Sequence, residues 1–431
     1  MKTLQENFEK DINLKSRLLI LGILFIYIYG LQFRAIPVNS TKFVFLLSGI
    51  IFLFSSKVQR NRIKLKLSAI KVCMLLLLVA AYNIGISIAL KTGDFNLGIA
   101  FTTVLLINFI GSYFLVNILH VWFGFGKEAI IKFIVITVLI QSLFIFTSFF
   151  SSAFREISHR ILEEGGNLDA LGRGRVRGFA NASGAGISLV QGIGGALALS
   201  LALSSKRKKK MALFSMIAVL CAMSTIFTGR TGLVAFVLFL PLYLFLSLIS
   251  GSVNRRTFFT YGLLIFTFVL MPVFIFSQLI GIESQEFMVN NVFNRAFVLY
   301  FNLIEHGTLS TTTTDVLVND MMFLPDSSQT LIFGDARWVS GQSNYMYTDS
   351  GYVRYIFGMG LIGCGLYYWA IAKTLFSNMK NYKERAIKIT IVALYILIAA
   401  AEMKEPFFSK AGIGRILSLL FMAGFLKTSE G

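Results

Sequence analysis

Apolar residues in this chain come in blocks of about 17 to 25, the length an α-helix needs to cross about 30 Å of hydrocarbon. The blocks fall at roughly 18–34, 42–56, 70–90, 98–119, 129–151, 179–203, 211–227, 231–250, 258–280, 350–376, 386–401 and 412–427. The pattern predicts an all-α polytopic membrane protein, a single integral domain over residues 1–431 with about twelve transmembrane helices. A charged lead of about seventeen residues precedes the first block, and no small-residue cleavage site follows it, so that block reads as a retained span.

The loops between blocks sort by charge. Lys57 to Lys71, Gly126-Lys127-Glu128, Lys206 to Lys210, Asn254-Arg255-Arg256 and Lys380 to Lys388 all fall on one side. Basic loops stay in the cytoplasm, which puts both termini there as well. Two outer loops are long, 152–178 and 281–349. Within the second, Asn291, Arg295, Asn302 and Glu305 recur at helical spacing along an otherwise apolar stretch from Glu286 to His306. That spacing predicts an amphipathic helix at the outer interface, with Arg295 on its wet stripe.

Composition agrees with a membrane class: 56% of residues are hydrophobic, only 14% are charged and the mean hydropathy is +0.73. A soluble domain carries about 25% charged residues. The net charge of +19 is mostly lysine beside the spans, so orientation and anionic headgroups account for it without nucleic acid. Cys73, Cys221 and Cys364 lie inside spans and read as packing residues. No His, Cys or Asp spacing indicates a metal, and no phosphate-binding Gly-rich loop indicates ATP; no cofactor is expected. Asn83, Asn108, Asn117, Gln141 and Gln191, inside the spans, read as bridges between helices.

Outside the cytoplasm the preferred cation changes. Eleven arginines lie there (Arg34, Arg155, Arg160, Arg173, Arg175, Arg177, Arg230, Arg295, Arg337, Arg354 and Arg415), against the four lysines Lys42, Lys91, Lys404 and Lys410. Orientation needs only positive charge, whereas a planar guanidinium fork grips phosphate or carboxylate bidentately. Arg230, in Thr228-Gly229-Arg230-Thr231-Gly232 between two apolar blocks, is the sharpest candidate; its plain reading is a snorkelling arginine at a helix end. Arg173, Arg175 and Arg177 open the sixth span at alternate spacing, as one face of an extended segment or as a solvated basic patch. Arg295 reads as an anion ligand or as an ion-pair partner of Glu286 or Glu305. Asp349 reads as the N-cap of the tenth span or as a carboxylate that accepts a proton or orients a hydroxyl. Arg354, five residues on, faces inward or pairs with it. Arg337, on the return from the second loop, completes the candidate set.

The order of Arg177-Gly178-Phe179-Ala180-Asn181-Ala182, Thr228-Gly229-Arg230-Thr231-Gly232, a long outer loop, and Thr348-Asp349-Ser350-Gly351-Tyr352-Val353-Arg354 followed by Phe357-Gly358-Met359-Gly360-Leu361-Ile362-Gly363 resembles the O-antigen polymerase and ligase group of bacterial inner-membrane proteins. These are lipid-carrier-dependent glycosyltransferases of a multi-span, GT-C-like kind. The resemblance implies a catalytic Asp349 and Arg230, with Arg177, Arg230, Arg295, Arg354, Arg175 and Arg337 binding the diphosphate and glycan of an undecaprenyl-diphosphate-linked oligosaccharide. Asp349, where ligases of the group tend to carry histidine, looks more like the polymerase branch. It also implies a periplasm-facing site, the bilayer as environment, and a chain-length regulator as partner. Two other readings stay open: a ligase passing the glycan to lipid A core, and a flippase for the same anionic lipid-linked glycan. Transporters usually carry repeat symmetry and Gly/Pro-broken spans in matching positions, and the sequence pattern suggests neither.

Overall fold

The computed structural model describes residues 13–36, 38–163, 175–181, 184–205, 207–251, 302, 307, 311–338 and 348–426. Helices occupy every expected span within them: α1 (Leu14–Tyr29), α2 (Ser40–Phe54), α4 (Leu67–Ala89), α5 (Asn96–Phe123), α6 (Lys127–Phe150), α8 (Ala185–Ser204), α9 (Lys208–Thr228), α10 (Arg230–Ile249), α13 (Gly351–Asn381), α14 (Arg385–Ala401) and α15 (Ala411–Ala423). Short helices α3 (Ser56–Asn61), α7 (Ser152–Ile161), α11 (Thr312–Asn319) and α12 (Ser328–Phe333) lie between them. The segment 258–280, Arg173, Arg295 and the amphipathic stretch around Arg295 lie outside the described residues. Among the described residues seven helices, α4, α5, α6, α8, α9, α10 and α13, are long and apolar enough to cross a membrane. Large apolar side chains such as Phe54, Leu77, Phe245 and Ile249 stand exposed on the helices, as a protein solvated by lipid requires.

α8 is the axis. Its residues from Ser188 to Ala202 are all buried, and its glycines let neighbouring backbones approach. A Cβ on Gly194 would lie 2.3 Å from Val138 Cγ1 of α6, and one on Gly192 would lie 2.6 Å from Gly232 O of α10. Gln191 is the polar hub of this packing. Its Oε1 accepts from Ser142 Oγ at 2.7 Å, and its Nε2 donates to Tyr29 OH at 3.0 Å, joining α8 to α6 and α1. Asn117 likewise accepts the Ile63 amide at 2.7 Å, and the Asn83 amide donates to Val79 O of its own helix at 2.7 Å and to Met359 Sδ of α13 at 3.7 Å.

Two helices depart from regular geometry. α5 widens into a π-turn over Val104–Ile110, and the Tyr27 hydroxyl donates to the Ile107 carbonyl at 2.7 Å there. α13 kinks at Gly360, whose φ of 62° is left-handed. The segment after α12 satisfies backbone groups beside the kink: Asp335 N donates to Phe357 O at 2.9 Å and Ala336 N to Gly358 O at 3.0 Å.

The ends of the bundle sort as the loop charges predict. Lys66 Nζ donates to Asn381 Oδ1 at 2.8 Å and Lys127 Nζ to Asn381 O at 2.6 Å, so three basic loops meet at one end. The sixth span begins later than its apolar run, at Ala185 rather than residue 179. Residues 175–181 before it are not helical, and the Asn181 side chain there accepts the Gln32 amide at 2.8 Å and donates to the Gln32 and Glu163 carbonyls, both at 2.7 Å. The first long loop opens with α7, and Leu162 behind it is fully buried.

Candidate functional site

At the end opposite the basic loops, the N-termini of α8, α10, α13 and α15 converge. A single residue, Gly229, joins α9 to α10. The Ser188 hydroxyl of α8 donates to the Gly229 carbonyl, and Gly232 N donates to Ser188 Oγ at 2.9 Å. From the other side comes the loop between α14 and α15, residues 402–410. Gly351 N, at the start of α13, donates to Glu402 O at 2.9 Å, and Tyr355 OH donates to Ser409 Oγ at 2.6 Å. Lys404 Nζ donates to Thr231 Oγ1 of α10 at 3.3 Å. A Cβ on Gly186, in the first turn of α8, would lie 3.6 Å from Lys410 Nζ.

Cations occupy these N-termini. Arg230 is the first residue of α10 and half-buried, Arg354 lies in the first turns of α13, and Lys410 is the N-cap of α15. A helix N-terminus carries about half a positive charge, so a cation there is at the unfavoured end unless an anion joins it. The carboxylates paired with them are Asp349, whose Oδ1 lies 3.1 Å from Arg354 Nη2, and Glu405, which pairs with Lys410. Asp349 is therefore not the N-cap of α13. Ser350 caps it, accepting from Val353 N, and this leaves Asp349 exposed and turned to Arg354. The Arg354 Nε also donates to Thr348 O at 2.8 Å, which fixes the fork.

Under the loop lies Glu402, with no exposure at all. Its Oε2 accepts the Phe408 amide at 3.0 Å, and its Oε1 has no hydrogen-bond partner among the described residues. Burial pushes its carboxyl up to about 8, against the pull of the Phe408 and Phe407 amides and of Lys410. Burial brings Lys410 down to about 8; Arg354 and Lys404 push the same way, and Asp349 and Glu402 oppose.

The other expected residues divide. Arg175 reaches the start of α8, its Nη1 lying 3.1 Å from where a Cβ on Gly184 would stand. Arg175 and Arg177 flank the buried Val176, whose amide donates to Phe227 O at 2.8 Å. Arg177 Nη1 donates to Asn181 O at 3.3 Å, and its carbonyl accepts from Gln141 Nε2 at 2.8 Å, tying it to the anchor before α8. Arg337 is exposed on the strap against the α13 kink, beside Trp338, which stacks on Tyr355 with centroids 5.5 Å apart.

Several outer arginines serve the backbone instead. Arg415 Nη1 donates to Tyr27 O and Ile28 O at 2.9 and 3.0 Å, Arg155 Nη1 to Ser148 O and Phe149 O at 2.7 and 3.0 Å, and Arg34 Nε to Leu162 O at 3.1 Å. A guanidinium at a helix C-terminus satisfies carbonyls that have no partner within the helix. Glu402, Lys404 and Lys410 are the site residues that sequence reasoning missed. The available signal was a lone acid closing an apolar run, with two lysines on the arginine-rich side. No group of three or more His, Cys, Asp or Glu side chains that could hold a metal ion occurs among the described residues.

Comparison with protein-family models, with curated proteins and with solved structures finds no match for this chain.

Proposed function

We propose that the chain is a surface-polysaccharide polymerase of the O-antigen polymerase kind. In this reading it crosses the bacterial inner membrane about twelve times in a GT-C-like arrangement, both termini cytoplasmic and the site facing the periplasm. It moves a glycan from undecaprenyl diphosphate to a sugar hydroxyl of another lipid-linked repeat unit. The bilayer is its solvent, and a chain-length regulator is a partner of this kind of enzyme. The observation that supports the reading is that Arg230, Arg354 and Lys410 each stand at the start of one of the converging helices α10, α13 and α15, opposite the basic loops.

The chemistry follows from that geometry. The acceptor oxygen forms its bond to the anomeric carbon while the bond to the diphosphate breaks, and negative charge grows on the departing diphosphate. Fixed cations and free helix amides stabilise that charge where it develops; one such donor is worth about 3 to 4 kcal/mol in the transition state. Asp349, exposed and oriented by Arg354, accepts the hydrogen bond of the attacking hydroxyl. The proton leaves with the carboxylate or the diphosphate, and the donor bond supplies the driving force without nucleotide.

The deciding experiment is extension of purified lipid-linked repeat units by the purified protein with chelator present. A ladder of longer glycans on the carrier is the expected result. No ladder, with glycan passed only to an added lipid A core acceptor, would convert the reading to a ligase. No transfer at all would remove it.

A further inference from the structure

α7 runs across the end of the bundle instead of leading away from it. At its start the Ser151 hydroxyl accepts Phe154 N at 3.2 Å, and Arg155 reaches back to the Ser148 and Phe149 carbonyls of α6. At its other end Arg34 N donates to Ile161 O at 3.0 Å and Phe33 pairs with Leu162, which ties it to the turn between α1 and α2. α1 and α6 pack side by side below, the Phe25 and Phe144 rings 5.7 Å apart. A helix pinned at both ends to the same end of a membrane bundle lies close to the plane of the membrane surface.

The sequence of α7 divides around its axis, because positions four apart share a helix face. Phe154, Ser158 and, just past the helix, Leu162 face the protein: Phe154 stacks on Phe144, and the other two are buried. The next stripe round is Ala153, Ile157 and Ile161, all exposed, Ile157 by 52% and Ile161 by 42%. Beyond it come Ser152, Glu156 and Arg160, exposed as well, with Arg160 and Glu156 paired at 3.5 Å. The apolar half of α7 is therefore wider than the protein beneath it covers. Its uncovered part adjoins other exposed apolar side chains: Leu143 and Phe150 on α6, Ile36 on the α1–α2 turn and Phe43 on α2.

We propose that α7 is an interfacial helix, with the Ala153–Ile157–Ile161 stripe seated among the lipids of the leaflet at this end and the Ser152–Glu156–Arg160 stripe in the headgroup layer. The stripe runs on into the exposed sides of α6 and α2, so the solvent that covers those sides covers it too, and that solvent is lipid. Arg34, Lys42 and Arg160 stand exposed around it, with stems that lie along apolar surface while their charges reach phosphate headgroups. The seat of α7 is also a seat for the approach to α8. Directly behind the helix Glu163 N donates to Gln32 O at 2.8 Å, and the Asn181 side chain binds both of these residues. None of this depends on the glycan chemistry.

The test measures depth in the membrane residue by residue. Full-length protein with Cys73, Cys221 and Cys364 replaced by alanine is spin-labelled at one introduced cysteine at a time, in nanodiscs of phosphatidylethanolamine and phosphatidylglycerol. Collision of the label with oxygen, which concentrates in lipid, is compared with collision with a water-soluble nickel chelate. Ala153→Cys, Ile157→Cys and Ile161→Cys are expected to favour oxygen and to read depths of about 5–10 Å, while Ser152→Cys, Glu156→Cys and Arg160→Cys favour nickel. All of these positions are exposed, so the labels leave the fold in place. Equal access of nickel to Ile157→Cys and Glu156→Cys would put both stripes in water and overturn the proposal. Exclusion of both reagents from Ile157→Cys and Ile161→Cys would put protein over the stripe, a second copy or another part of this chain, and overturn it as well.

Discussion

Gly232 and Ser188 meet more closely than any side chain would allow. A Cβ on Gly232 would lie 1.9 Å from the Ser188 carbonyl oxygen, and the Gly232 amide donates to Ser188 Oγ at 2.9 Å. This contact seats the start of α10, and Arg230 with it, against the start of α8. Gly232→Ala forces the two backbones apart and is expected to cost about 1–3 kcal/mol, read as a lower thermal midpoint in detergent. An unchanged midpoint would mean that the two helix starts do not pack this tightly.

The spans were legible in the sequence because lipid tolerates only helices with apolar surfaces, and hydropathy records that demand directly. The start of α8 was not, since Phe179-Ala180 carries the apolar run on without a break. It is Asn181, clasping residues far away in the chain, that holds residues 179–181 outside the helix. The arginine count also overshot. The fork that suits a diphosphate suits two successive helix carbonyls equally well, and Arg155 and Arg415 are used that way. Glu402 and Lys410 stayed hidden for a third reason. Nothing local to residues 402–410 tells that the ends of α8, α10 and α13 come to rest on them.

Arg415 separates the two uses of arginine. It is buried, and both of its backbone acceptors lie at the C-terminus of α1. Arg415→Met fills the space but leaves the Tyr27 and Ile28 carbonyls without this donor, at a cost of about 3 kcal/mol. The variant should lose thermal stability while its surviving folded fraction keeps pyrophosphate affinity. Weakened affinity at full stability would place Arg415 in the anion site instead.

Asp349 makes the opposite prediction. Its ion pair with Arg354 is open to solvent, 62% exposed on the carboxylate side, and such pairs stabilise by under about 1 kcal/mol. Asp349→Asn should leave the melting curve in place and still reduce glycan extension at least about a hundredfold, the lower end of what one proton-handling group contributes. Equal extension by the variant and the parent would reduce the carboxylate to a surface charge.

Gly360 tests the strap of residues 334–338 that carries Arg337. At φ 62° a Cβ is strained, and here it would also lie 2.3 Å from Ile332 O and 2.5 Å from Gly334 N. Gly360→Ala is expected to undock the strap from α13, exposing residues 328–338 to limited proteolysis and costing about 1–2 kcal/mol. Protection equal to the parent's would show that the kink and the strap are independent.

Burial of Glu402 also sets a pH signature on stability. Its carboxyl titrates near 8 when folded against an ordinary 4.5, so the folded state holds an extra proton between those values. Stability then falls as pH rises from about 4.5 to 8. Lys410 is shifted the other way, from 10.5 to about 8, so the unfolded state holds the extra proton above 8 and stability recovers toward 10.5. The two together place a minimum near pH 8, measurable as the thermal midpoint in detergent across that range. Glu402→Gln removes the descending limb and leaves the ascending one, a change that loss of packing alone would not produce. A parent protein whose midpoint is level from pH 5 to 8 would show that Glu402 is not held neutral in the folded state.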